Sequence, residues 1–344
     1  MPDMNGTLVD RYGRHHTYLR ISVTDRCNLR CLYCMPEEES IVWRGRDELL
    51  TFEEIERVVR VTAAMGIEKV RLTGGEPLVR RGVEELAARI KGTPGIRAVA
   101  LTTNGLLLRG KLPALRDSID ALNISLDTFR PDRFHALTGR DRFDDAMAGI
   151  TAALAAGYGN GVDGHRTLKI NAVVMRGVND DELVDFARFA MENPVAVRFI
   201  EFMPFAGNDW SEGKCVPMIE IMAALEKEYR LERLPDEKSP ISRDFRLVRK
   251  ADGRTGRGTV GIIASMTQPF CADCSRLRLT AEGKVMPCLH SPLEFDLRDI
   301  VRNGGSDRDI GELFLRALDA KPQEHPDAAD MVGQGARVMI QIGG

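Results

Sequence analysis

The chain has 344 residues, of which 43% are hydrophobic and 29% charged, with a net charge of −3. That balance excludes disordered and collagen-like classes, and the near-neutral total excludes a globally basic nucleic-acid binder while leaving room for a local basic pocket. At roughly 150 residues per domain the length predicts two domains, or one large α/β domain with an appendage, and no run reaches the ~18 apolar residues of a membrane span.

Met1 to Arg20 lacks an apolar core with a cleavage site, so no secretory signal is predicted and a reducing, cytoplasmic setting is expected. The first strand is Tyr18 to Val23. A helix follows over Phe52 to Met65, with Thr51 as N-cap and Glu54 in position to close a capping box. Glu68 to Leu72 reads as a strand ending in a Gly-Gly turn, Val83 to Lys91 as a helix, Ala98 to Thr102 as a strand. Ala114 to Asp117 lies in the next helical stretch. Ala121 to Ser125 is a strand, Asp144 to Ala156 a helix, Leu168 to Met175 a strand and Asp180 to Glu192 a helix. Val197 to Phe202 and Pro217 to Tyr229 complete the series as strand and helix.

Six βα units in sequence predict parallel strands with helical crossovers. A complete barrel needs eight. The fold class is therefore α/β, a partial (incomplete) TIM-type βα barrel with a C-terminal extension. Chemistry in such folds gathers at the C-terminal ends of strands. Cys27 to Cys34, Gly74 to Pro77, Thr102 to Gly105, Ser125 to Asp127 and Glu201 to Pro204 all fall there. Leu234 to Pro240 reads as a linker, which divides the chain into 1–233 and 234–344. Residues 243–288 form a basic island, with nine Lys or Arg against four Asp or Glu. Gly157 to Arg166 reads as an exposed glycine-rich loop.

Seven cysteines in a reducing setting point to metal ligands or catalytic groups rather than disulfides. Six form two triads. Cys27-x-x-x-Cys31-x-x-Cys34 follows the first strand; three thiolates with no obvious fourth partner suit an iron–sulfur cluster with one open iron, and a zinc knuckle completed by a distant ligand is the alternative. Cys271-x-x-Cys274 and Cys288 make the second triad. Taken alone it also reads as half a zinc ribbon, with His290 as the fourth ligand. Arg276 and Arg278 stand at alternate positions, so in an extended segment they point the same way and make an anion site. The chain ends in Gly343-Gly344, without side chains and able to thread into a narrow site. Cys215 stands alone and reads as a loop thiol without function.

The first triad, with Tyr33 before its third cysteine, and Gly74-Gly75-Glu76-Pro77 one βα unit later resemble the hallmarks of the radical S-adenosylmethionine (SAM) enzymes. With the second triad, the Cys-Ser-Arg-Leu-Arg stretch and the final Gly-Gly, the whole chain from about Leu19 to Gly344 is similar to the GTP 3′,8-cyclase family of molybdenum cofactor biosynthesis. The resemblance implies two 4Fe–4S clusters, on Cys27, Cys31 and Cys34 and on Cys271, Cys274 and Cys288. It implies SAM contacts at Tyr33, Gly74, Gly75, Glu76, Ser125 and Met203. It implies GTP contacts at Arg20, Arg71, Thr102, Lys169, Arg276 and Arg278, with Arg276, Arg278, Gly343 and Gly344 in the catalytic pocket. The implied reaction is cyclisation of GTP: a 5′-deoxyadenosyl radical takes hydrogen from ribose C3′, and that carbon attacks guanine C8. A reduced flavodoxin or ferredoxin as electron donor, a cyclic pyranopterin monophosphate synthase downstream, and a homodimer are the implied partners, with no membrane and no nucleic acid. Two departures stand out. Ser275 occupies a position where the family usually has Asn, and the 157–166 loop is longer than usual.

Two other readings compete. A radical SAM enzyme with an auxiliary cluster that modifies a peptide would give no reason for Arg276, Arg278 and the terminal glycines. A zinc-bound module recruiting nucleic acid through the basic island is opposed by the acidic total and by the lack of interleaved aromatics; zinc without sulfide would favour it.

Overall fold

The computed structural model describes residues 7–35, 41, 43–161, 166–235, 241–333 and 338–343. Most of the expected linker (236–240), the tip of the glycine-rich loop (162–165) and Gly344 lie outside the described residues.

The elements run in order β1 (Tyr18–Ser22), α1 (Phe52–Ala64), β2 (Lys69–Thr73), α2 (Val83–Lys91), β3 (Ala98–Thr103), α3 (Leu108–Leu115), β4 (Ala121–Ser125), α4 (Pro131–Thr138), α5 (Phe143–Ala155), β5 (Tyr158–Gly159), β6 (Arg166–Val174), α6 (Leu183–Glu192), β7 (Ala196–Glu201) and α7 (Met218–Leu225). The C-terminal part adds β8 (Tyr229–Arg233), β9 (Arg243–Arg249), β10 (Thr255–Ile263), β11 (Arg276–Leu279), β12 (Lys284–Met286), β13 (Phe295–Asp296), α8 (Arg298–Arg302), α9 (Asp307–Asp319), α10 (Ala328–Gly333) and α11 (Met339–Ile342). Local chemistry sets several boundaries. Thr51 accepts from the Glu54 N–H at 3.2 Å while the Glu54 carboxylate accepts from the Thr51 N–H at 2.7 Å, so α1 starts in the expected capping box. The expected α7 stops at Leu225, and Tyr229 instead opens β8.

The strands form one open sheet ordered β13-β12-β11-β1-β2-β3-β4-β6-β7-β10-β9-β8. The run from β11 to β10 is parallel throughout. The six strands of the βα series are thus flanked by β10 against β7 and β11 against β1, both from the basic C-terminal part. The antiparallel β12 and β9 then continue the edges, and the sheet does not close.

Side chains alternate across this sheet with period two. Leu19, Ile21, Val70, Leu72, Val99, Leu101, Leu122, Ile124, Leu168, Ile170, Val197, Phe199, Val260, Ile262, Leu277 and Leu279 are all buried in one core with the helices. The opposite face is polar. Register places Arg278, Arg20 and Arg71 side by side on β11, β1 and β2. It places Thr102, Asn123 and Lys169 side by side on β3, β4 and β6, and Ser125, Asn171 and Arg198 on β4, β6 and β7.

An N-terminal arm precedes β1, with Val9 bridged to His15. Buried Asp10 accepts from Arg14 Nε at 2.6 Å and is hydrogen-bonded to His16 Nε2 at 3.0 Å. Burial pushes the His16 imidazole down to about 4, against the pull of Asp10. The folded protein therefore holds His16 neutral where the unfolded chain binds a proton, so stability falls as pH drops from 6.5 towards 4. The Asp10 carboxylate is lowered to about 2: its burial raises it, and the bonds from His16 and Arg14 outweigh that. Its contribution is present above about 4 and is lost as pH falls further. Melting temperatures measured across this range are expected to fall in wild type and to flatten between pH 6.5 and 4 in His16→Gln; an unchanged slope would place the titration elsewhere.

Candidate active site

The loop after β1 carries the first triad. Cys34 and Met35 donate their N–H groups to the Cys31 carbonyl at 3.0 and 2.8 Å, a tight turn that gathers Cys31 and Cys34. The loop is fixed from two sides. Arg30 and Leu32 donate backbone N–H groups to Thr138 and Leu137 at the end of α4. Gly75 and Glu76 donate theirs to the Thr24 and Arg26 carbonyls, each at 2.8 Å. This contact explains the paired glycines. A Cβ on Gly74 would stand 2.5 Å from the Thr24 carbonyl oxygen, and one on Gly75 would stand 2.5 Å from that of Arg26.

Glu76 is fully engaged by the protein. Its carboxylate accepts from the Leu78 N–H at 3.0 Å, the Thr103 hydroxyl at 2.8 Å and the Asn104 N–H at 2.7 Å. Burial raises it to about 7 despite these bonds. It acts here by locking the β2 and β3 ends together, which in turn places Asn104 against Cys27. Tyr33 donates its hydroxyl to Asp127 at 2.6 Å, and Asp127 also accepts from the Val173 N–H at 2.8 Å. Glu201, fully buried, is likewise structural: it accepts from the N–H groups of Met218, Met266 and Thr267.

Burial pushes the Cys27 thiol up to about 11 and raises those of Cys31 and Cys34 strongly, with the like charge of Cys27 adding to both. Three such thiols ionise together only around a cationic core. N–H groups already point at the sulfurs: Leu29 at 3.4 Å and the Asn104 side chain at 3.9 Å to Cys27, and the Ile340 backbone to Cys34. Among the described residues no three His, Cys, Asp or Glu side chains converge as ligands of a single ion. Three clustered thiols with N–H groups aimed at two of their sulfurs suit an iron–sulfur cluster.

The second triad lies on the turn Cys271–Asp273, on Cys274 before β11, and on Cys288 after β12. Burial raises the Cys274 thiol, but Arg276 and Lys321 outweigh this and bring it down to about 6. His290, the candidate zinc ligand, stacks on Phe205 with centroids 5.4 Å apart, and burial pushes its imidazole down to about 3. Cys215 lies in the connection between β7 and α7, is buried and bridged across to Met175 by backbone, and its thiol is raised to about 11 by that burial: a loop thiol, but a packed one.

Between the triads lies the basic row. Arg71 donates through Nη1 to the Thr102 hydroxyl at 3.1 Å and through Nε to the Tyr18 hydroxyl. Lys69 stands over the Tyr18 ring at 5.2 Å, and Arg276 over Phe270 at 4.8 Å. Burial, and next the charge of Arg278, push Arg20 well below the usual guanidinium range; burial and Arg276 bring Arg278 down to about 10. Guanidiniums crowded this way are unfavourable without an anion. The C-terminal tail meets this row. The Gly343 carbonyl accepts from Thr73 Oγ1 at 3.1 Å and Arg20 Nη2 at 3.3 Å, and Arg278 Nη1 lies 3.4 Å from the Ile342 carbonyl oxygen. Gly343 has φ +77, and a Cβ there would stand 3.0 Å from both Ser22 and Thr73 side chains.

The structure thus joins Arg20, Arg71, Thr102, Arg278 and Gly343 directly. Lys169 and Ser125 share their face but stand further along the sheet, on β6 and β4. Met203 packs with Phe205, Met286 and Ile342, under the tail. The sequence reading missed Tyr18, Asn123, Asn171 and Arg198. The buried atoms Asn123 Oδ1, Asn171 Oδ1 and Arg198 Nε have no protein partner. Orphaned polar atoms on one face are what a polar ligand satisfies. Their signal was available: each is a polar residue at an alternate position of an otherwise apolar strand.

Residues 21–190 match the Radical SAM superfamily model and residues 195–326 the Molybdenum Cofactor Synthesis C model. The chain is 48% identical to GTP 3′,8-cyclase of Heliobacterium modesticaldum, covering 98% of this chain and 100% of that one. It is 42% identical to the mitochondrial GTP 3′,8-cyclase of Arabidopsis thaliana, over 98% and 83%. Human molybdenum cofactor biosynthesis protein 1 is 40% identical over 97% of this chain and 51% of its own length. Among solved structures, Streptococcus suis SuiB bound to S-adenosylmethionine shares the fold at 15% identity, with a TM-score of 0.59 over 91% of this chain and 76% of that one. Sequence, site and relatives together place this chain in the GTP 3′,8-cyclase family of radical SAM enzymes.

Proposed function

We infer that the protein is a GTP 3′,8-cyclase, a radical SAM lyase that converts GTP into (8S)-3′,8-cyclo-7,8-dihydroguanosine 5′-triphosphate, the first step of molybdenum cofactor biosynthesis. The observation that carries this beyond similarity is the Arg278–Arg20–Arg71 row on the polar face of the sheet, with Arg20 half-buried between two buried neighbours, one cysteine triad on the loop after β1 and the other flanking β11 and β12. Cys27, Cys31 and Cys34 would hold a 4Fe–4S cluster, whose chemistry when bound would be reductive cleavage of SAM to the radical that takes hydrogen from the ribose.

The chain's own residues do the rest. Cys27, Cys31 and Cys34 would hold the first cluster, and Cys271, Cys274 and Cys288 a second, beside which the guanine would bind. The SAM contacts are Tyr33, Gly74, Gly75, Glu76, Ser125 and Met203, and the Glu76 carboxylate also ties the β2 and β3 ends together. Arg20, Arg71, Arg276, Arg278, Lys169 and Thr102 bind the triphosphate and sugar, giving charge-assisted bonds that orient C3′. Gly343, against Arg20 and Thr73, closes the pocket, and Gly344 belongs with it to the catalytic set. The division at 233/234 assigns one triad to each part. Reduced flavodoxin or ferredoxin delivers the electron, and a cyclic pyranopterin monophosphate synthase consumes the product. No helix among the described residues is long and apolar enough to cross a membrane.

The test is anaerobic. Protein reconstituted with iron and sulfide, reduced with dithionite and given SAM and GTP is expected to yield 5′-deoxyadenosine and an isomer of GTP, both GTP-dependent, by mass spectrometry. 5′-Deoxyadenosine with unchanged GTP would keep the radical enzyme and reject the substrate.

A further inference from the structure

Lys321 follows α9 and is 2% exposed. Its ammonium donates to the Arg276 carbonyl at 3.0 Å and to the Pro287 carbonyl. Arg276 lies two residues after Cys274, and Pro287 immediately precedes Cys288. One side chain therefore ties the two segments that carry these cysteines. The third cysteine is held by the residues that follow. Arg14 donates to the Cys271 carbonyl at 2.8 Å, to that of Gln323 at 2.8 Å and to that of Pro322 at 2.7 Å. The His325 backbone N–H points at the Cys271 sulfur. Residues 321–325 are a strap around the second triad.

Carbonyls satisfy the hydrogens of the Lys321 ammonium but do not neutralise it. Among the described residues no carboxylate pairs with it, and Arg14 and Arg276 add like charge nearby. A buried ammonium in that company is among the most costly groups to keep charged. The groups that favour its charge are the sulfurs of Cys274 and Cys288. Around three neutral thiols the arrangement is mismatched; around thiolates of a cluster it is complementary.

We propose that Lys321 is the built-in counter-charge of the second cluster, tying its ligand segments and, by its positive charge, favouring the cluster's reduced state. This rests on the two-cluster reading above. Reduction adds negative charge to the cluster, so a fixed cation beside it raises the reduction potential. Removing the cation is expected to lower the reduced-to-oxidised ratio about tenfold at a fixed potential, a shift of ~59 mV for one electron.

The experiment uses the full chain with Cys27, Cys31 and Cys34 replaced by alanine, so that only the second cluster remains. Iron is counted, and the cluster is titrated anaerobically by electron paramagnetic resonance. A first-triad variant that takes up no iron would reject the second cluster itself, before Lys321 is touched. With the cluster present, Lys321→Gln keeps donors for the two carbonyls and loses the charge, while Lys321→Arg keeps the charge. A lower midpoint in Lys321→Gln, with Lys321→Arg near wild type, supports the proposal. So does loss of iron from Lys321→Gln alone. An unchanged midpoint in a fully loaded Lys321→Gln overturns it. Loss of iron from both variants also overturns it, because the lysine would then be a shape-specific tie and not a charge.

Discussion

Gly75→Ala is expected to cut 5′-deoxyadenosine formation by about 100-fold or more, because displacing reacting groups by ~1 Å costs that much. The alanine Cβ would lie 2.5 Å from the Arg26 carbonyl oxygen, 2.7 Å from its carbon and 2.9 Å from the Asp25 carbonyl oxygen. All three are backbone atoms, so no rotamer change relieves the contact. The segment that moves is the one leading into Cys27, and overpacking of this kind costs about 1–3 kcal/mol. Iron per chain should fall with the rate. Gly110→Ala is the control: it lies in α3, nothing stands within 4 Å of its added Cβ, and it should gain about 0.5–1 kcal/mol of stability with full activity. A wild-type rate in Gly75→Ala would show that the loop tolerates displacement.

Arg278→Met is expected to do two opposite things. Without GTP, it should raise the melting temperature, by about 2–4 °C for each kcal/mol of repulsion relieved. Arg278 is buried beside Arg20 in register, with Arg276 pressing on it, and its bonds to the tail carbonyls are long, at 3.4 and 3.5 Å. With GTP, it should weaken binding about 10- to 100-fold, the equivalent of one charge-assisted hydrogen bond. Thermal scans and calorimetric GTP titrations check the pair. A lower melting temperature with unchanged GTP affinity would make the row a structural device and not a substrate site. Stability surrendered at a site that must receive an anion is a familiar trade.

The βα series was legible because its strands and helices carry strong periodic patterns. Val83–Lys91 and Ala121–Ser125 coincide with their expected limits, and Arg276 with Arg278 proved to share one face of a strand. The C-terminal part was not legible in the same way. Its strands are short, as in the three-residue Lys284–Met286, and their pairing is not local. Nothing in Arg276–Leu279 says that it pairs with Tyr18–Ser22, more than 250 residues earlier. For the same reason Lys321 and Arg14 escaped notice: each looks like a surface cation until the fold buries it. Tyr18 and Asn123 were missed because single polar positions in apolar strands read as noise until register lines them up.

That pairing also orders events on the ribosome. At about 5–20 residues per second, the first strand and the cysteine loop behind it leave the exit tunnel roughly 10–50 s before the strand that will cover their open edge. Through that interval β1 offers unsatisfied backbone groups on one side, and the loop offers three thiols. Nascent chains stalled before residue 276 should therefore be the aggregation-prone and oxygen-sensitive ones, and a holdase that shields β1 or an early iron supply would matter most in that window.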